Sequence, residues 1–129
     1  MVVCVPVTEE GWIDPRWGRA RRLAIAQVEA GTITRWEELD VGWGDARNTG
    51  SERAHHARVA RFIKEHHVET VLVDHMGDDM LRILARMGVT VHLGASGDAR
   101  QAVKLIAGES GRREPAQGVS DQADRISDG

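Results

Sequence analysis

The chain has 129 residues, 41% of them hydrophobic and 29% charged, with a formal charge of -3; that describes one globular domain around a single core, with no electrostatic reason to expect a nucleic-acid partner. Its single cysteine, Cys4, excludes an internal disulfide and any all-cysteine zinc or iron–sulfur site within one chain. No apolar run approaches the roughly 18–20 residues of a membrane span, and the opening MVVCVPV lacks the leader of a signal peptide, so the cytoplasm is the expected location.

Residues 2–7 form an apolar, β-branched run, the pattern of a strand covered on both faces. Residues 8–17 follow as a loop punctuated by Glu9, Glu10, Gly11, Asp14 and Pro15. Two further strands, 23–29 and 32–39, join at Ala30 and Gly31 in a short hairpin turn. After a polar connection over 40–50, a helix is expected from about Ser51 to His67, capped by Ser51 and buried along Val59, Phe62, Ile63 and His66.

From there strand and helix alternate: a strand over 70–73, a helix over 78–87 ended by Gly88, a strand over 89–93, and a helix over 98–107 ended by Gly108. Asp78 or Asp79, and Ser96 or Asp98, supply the start signals for those two helices. Residues 109–129 are polar and are expected to be a disordered tail, leaving 1–108 as the folded domain. The order β-β-β-α-β-α-β-α predicts an α/β fold: a five-stranded mixed sheet with one antiparallel strand and helices on both faces.

In such sheets ligands sit beyond the carboxyl ends of the parallel strands. The loop carrying Trp12 and Arg16–Arg19, the first helix start with His55 and His56, and the segments Asp74-His75-Met76-Gly77 and 94–97 should all meet at that edge. His75 can offer a neutral imidazole and Met76 or Met80 a thioether to a metal. Gly77 and the loop holding Gly94 and Gly97 free backbone amides at two helix starts, a seat for an anion. Structural readings compete with each of these. Asp78 and Asp79 serve as caps, His66 and His67 as partners of a helix C-terminus, and Met80 and Met87 as core. Cys4 reads as a buried, inert thiol. Among the tryptophans at 12, 17, 36 and 43, Trp17 is expected to pack under its loop, while an exposed Trp12 or Trp43 would mark a partner surface. No metal-binding, phosphate-loop or dinucleotide spacing is present.

Arg16-Trp17-Gly18-Arg19-Ala20 is similar to the Arg-Phe-Gly-Arg-Ala that follows the first strand in the dinitrogenase iron–molybdenum cofactor biosynthesis family (NifX-like proteins and the small domain ending NifB-type proteins). VLVDHMGDDMLRILARMGVTVHLGA resembles that family's pattern of strand, Gly, helix and Leu-x-x-x-Gly before the next strand. The resemblance implies a ribonuclease-H-like fold that binds, carries or chaperones an iron–sulfur or iron–molybdenum type cluster, with a protein partner in cofactor assembly. It carries Arg16, Gly18, Arg19 and Gly77 over as binding positions, while His75, His55, His56 and Met76 form the metal-ligand set expected of this chain.

A non-catalytic metallocluster carrier is therefore the expected function. The alternative is a small-molecule or nucleotide-binding regulatory module with Arg16 and Arg19 as anion clamps. A nuclease is disfavoured, because two-metal chemistry needs a carboxylate on a central strand and the first strand carries none.

Overall fold

The computed structural model describes residues 1–43 and 51–112. Strand β1 (Val2–Pro6) pairs antiparallel with β2 (Arg22–Glu29), and β2 pairs antiparallel with β3 (Thr32–Asp40). The β2–β3 turn places Ala30 (φ 53°) and Gly31 (φ 78°) in the left-handed region, as a two-residue turn needs to follow the strand twist. Glycine takes that conformation freely; the Cβ of Ala30 does so at a cost of about 1–2 kcal/mol.

Helix α1 (Glu52–Glu65) starts at Ser51, whose Oγ accepts the Ala54 N–H. It buries His55, Val59 and Ile63 on one stripe. Its end is closed by His67 at φ 56°, with the Val68 N–H donated to the Ile63 carbonyl and the His67 N–H to that of Lys64. Helix α2 (Asp78–Arg86) closes identically around Gly88. Each closure turns the chain directly into a strand, β4 (Thr70–Leu72) after α1 and β5 (Thr90–His92) after α2. Both are parallel to β1, giving the order β3-β2-β1-β4-β5 with β2 alone running against the other four strands.

The expected mixed sheet with helices on both faces is therefore present. One core lies under α1 and α2, where Cys4, Leu23, Val59, Ile63, Val71 and Leu84 meet. The other lies under α3 (Ala99–Arg112), where Val3, Val5, Ala24 and Ala26 meet Ala99, Val103 and Ala107. Strand β1 is sandwiched between them, and the buried Cys4 thiol is pushed well above its usual pKa by desolvation, so it stays protonated and unreactive.

Two expectations change. Helix α3 does not stop at Gly108 but runs on to Arg112. Glycine weakens a helix by about 1 kcal/mol without breaking it, and the Ala99–Val103–Ala107 stripe already holds this one. Of the tail expected over 109–129, residues 109–112 therefore continue this helix, and 113–129 lie outside the described residues. Trp43 is not exposed: it is buried edge-to-face on Trp17 at 5.2 Å and on Phe62 at 5.7 Å. Trp12 is half exposed, and Trp36 lies on the far side of the sheet under the Arg100 guanidinium. Among the described residues no helix is long and apolar enough to cross a membrane.

Because His67 is solvent-exposed and held at positive φ, His67→Gly should stabilise the protein by about 0.5–1 kcal/mol, read as a raised urea midpoint at unchanged slope.

Candidate functional site

Beyond β1 the chain stays pinned to the sheet: Val7 bridges Ile13, and the Asp14 N–H donates to the Pro6 carbonyl. The buried Asp14 carboxylate accepts from the Arg16 backbone N–H at 3.0 Å and from its Nε at 3.3 Å. This fixes the entry into a 3-10 turn, Trp17–Arg19. Arg16 pairs with His75 in an isolated parallel bridge, so the loop after β1 and the loop after β4 lie side by side.

The third wall comes from the first turns of α1. His55 is buried there, 6.1 Å from the Trp43 ring, with its Nδ1 3.4 Å from an Arg58 nitrogen. His56 is half-buried and faces Glu52 one turn earlier at 3.3 Å. The fourth wall is the start of α2. Its N-cap is Gly77, with no side chain capping it, and Asp78 and Asp79 are its first helical residues. They are therefore not the caps that the sequence suggests: Gly77 takes the extended cap conformation one residue earlier, leaving first-turn N–H groups at the rim. Asp79 instead contacts Arg82 one turn along.

These segments enclose one cavity of about 640 Å³, lined by Arg16, Trp17, Gly18, Arg19, Glu52, His55, His56, His75, Met76, Gly77, Asp78, Asp79, Met80 and Arg82. Eight of the ten residues singled out from sequence line it: Arg16, Gly18, Arg19, His55, His56, His75, Met76 and Gly77. Gly94 and Gly97 do not. Their loop is occupied with holding the fold, since Gly94 N–H donates to Asp74, Ala95 N–H to Val73, and Gly97 accepts from Ile13. The helix behind it is capped by Asp98, whose Oδ1 accepts from Gln101 N–H at 2.9 Å, so the anion seat expected there is already filled by a carboxylate.

Glu52 and Arg82 were not singled out as wall residues. The i,i+4 spacing of Glu52 to His56 and the i,i+3 spacing of Asp79 to Arg82 carry that information only once the helix starts are known. Three arginines and three carboxylates balance around the cavity. Among the described residues no group of three or more His, Cys, Asp or Glu side chains is disposed to hold a metal ion. Arg16 also lines a smaller cavity of about 250 Å³, with Glu9, Glu10, Asp14, Arg21, Arg22 and Asp40 among its walls.

The family model described as dinitrogenase iron-molybdenum cofactor matches residues 1–109. Among solved structures, the fold is similar to that of the protein PH0822, at 20% identity over 84% of this chain and 90% of that one, with a TM-score of 0.70. It is also similar to the apo form of the orange protein from Desulfovibrio gigas, at 23% identity over 85% and 88% of the two chains and a TM-score of 0.66. A Thermotoga protein of the DUF35 family matches at 22% identity over 94% and 97%, with a TM-score of 0.61. At these identities the likeness is one of fold. No curated protein matches the chain.

Since the Asp14 carboxylate ties the Arg16 side chain and backbone together, Asp14→Ala should cost about 1–3 kcal/mol in urea unfolding, and Asp14→Asn, which keeps an acceptor oxygen, should cost less.

Proposed function

The chain belongs to the dinitrogenase iron-molybdenum cofactor family, and from that membership we propose that it is a non-catalytic carrier for a preassembled metallocluster of the iron–sulfur or iron–molybdenum type. The observation that carries this reading is the meeting of two separate segments, Arg16–Arg19 and His75–Met80, around one 640 Å³ cavity with His55 and His56 opposite. A bare divalent ion needs about three or four protein donors in tight geometry, and the described residues offer no such set. A cluster brings its own sulfide or oxide ligands. It asks for volume, for cations and amide N–H groups beside its anionic edge, and for one or two donors that fill open metal positions.

His75, exposed at the rim, and Met76, buried beneath it, are the donors proposed first, one imidazole and one soft thioether. His56, half-buried beside Glu52, would present its ring to the same cavity. Arg16, Arg19 and the Gly77 helix start would face the anionic edge. A carrier acts between a protein that builds the cluster and one that receives it, so protein partners in cofactor assembly belong to the same proposal. The runner-up, a nucleotide-binding or small-molecule module, draws on the same arginines; Asp78 and Asp79 in the first turn of α2 oppose a phosphate there. Metals rather than nucleotides should therefore raise thermal stability.

Reconstituted without oxygen with iron, molybdate and sulfide, the protein should retain metal through desalting. His75→Ala, at an exposed position, should lower that retention roughly tenfold while leaving the melting curve unchanged. Metal content unaffected in the triple variant His55→Ala/His56→Ala/His75→Ala would refute the ligand assignment.

A further inference from the structure

We propose that the indole N–H of Trp17 is a ligand donor of the cavity, reserved for an anionic acceptor on its cargo: a sulfide or oxide of the cluster. The assignment rests on the carrier function above and names a contact that function does not require.

Trp17 lines the cavity, yet its side chain is almost wholly buried, at 4% exposure. Its Nε1 is sealed from solvent and has no acceptor among the described residues. An indole nitrogen can only donate, and buried donors left without an acceptor are rare because nothing replaces the water they lose. The same chain satisfies an indole elsewhere: Trp36 donates to Glu38 at 3.0 Å. Nor is the Trp17 ring loosely placed. It is held edge-to-face on Trp43, with the planes at 75°, and its backbone carbonyl accepts the Ala20 N–H that closes the 3-10 turn. A fixed donor that has no acceptor among the described residues, on a side chain that lines a cavity, is available to an acceptor that enters and uncovers it. Arg16 and Arg19 flank it in sequence and line the same cavity, on the side where an anionic acceptor would also meet a guanidinium. Entry of the cargo has to displace the atoms that now shut Nε1 off from solvent.

Trp17→Phe removes the donor and keeps the edge-to-face contact; Trp43→Phe thins the same aromatic cluster and leaves the donor in place. After anaerobic reconstitution with iron, molybdate and sulfide, Trp17→Phe should retain metal roughly tenfold less well than the parent protein. It should also melt cooperatively without metal, and Trp43→Phe should stay within about twofold of the parent. Independently of any variant, ultraviolet resonance Raman spectra of the parent before and after loading should show one indole N–H gaining a hydrogen bond. Equal retention by Trp17→Phe and the parent, an equal loss in Trp43→Phe, or indole bands unmoved by loading would each overturn the donor assignment while leaving the carrier function standing. A parent protein that takes up no metal overturns the carrier function, and this assignment with it.

Discussion

Val3 and Cys4 of β1 lie beside Thr70 and Val71 of β4 in parallel register, and what happens at the edge of the sheet follows from that pairing. Parallel neighbours leave the sheet at the same end, and the connection between them has to cross over it, which α1 does. The β2–β3 hairpin fills the other flank of β1. The loop after β1 meets the loop after β5 through Ile13 and Gly97, and it meets the loop after β4 through the bridge between Arg16 and His75, which continues the alignment of β1 and β4 past the last sheet hydrogen bonds. A guanidinium and an imidazole from distant parts of the chain are thereby placed together by backbone geometry before any side chain chooses a rotamer.

The side chains then close the space from within. Trp43 donates its backbone N–H to Ala20 and packs its ring against Trp17, Phe62 and His55. His55 belongs at once to this aromatic cluster and to the cavity wall. The cluster fixes α1 against the 3-10 turn with edge-to-face contacts worth about 0.5–1.5 kcal/mol each beyond their burial. Because the wall and the core share residues here, the shape of the cavity is as rigid as the packing beneath it.

Much of this was legible in the letters, and the rest fails for identifiable reasons. Element order, the hairpin at Ala30 and Gly31, the Ser51 cap and the edge at which the cavity forms all follow from local pattern and from the direction of parallel strands. Trp43 could not be placed, since its burial depends on Ala20, Phe62 and His55, none of which is near it in sequence. The loop holding Gly94 and Gly97 looked like a source of open amides; that Asp74 takes the Gly94 N–H, Val73 the Ala95 N–H, and Gly97 accepts from Ile13 is a tertiary matter. The N-cap of α2 fell to Gly77 because two acidic residues in a row leave the choice of cap undetermined, and the backbone bend comes one residue earlier. Helix α3 outran its glycine because burial of Ala107 outweighs a single poor helix former.

A carrier has to release what it holds, and that requirement gives the balanced charge of the cavity a rationale under the proposed function. Three arginines unopposed would bind an anionic cluster in proportion to its charge and would hold phosphates and nucleotides as well. With Asp79 set against Arg82, Glu52 against His56 and Asp14 against Arg16, three of the basic side chains that a cargo meets must first be drawn from a carboxylate. The net gain on binding shrinks, and so does the barrier to leaving. Selectivity must then come from what pairs and salts do not imitate: the soft Met76 sulfur, the imidazoles of His75 and His56, and the volume between two helices. A site of this kind sacrifices affinity for exchange, which is the opposite of the closed four-ligand geometry that a structural metal demands.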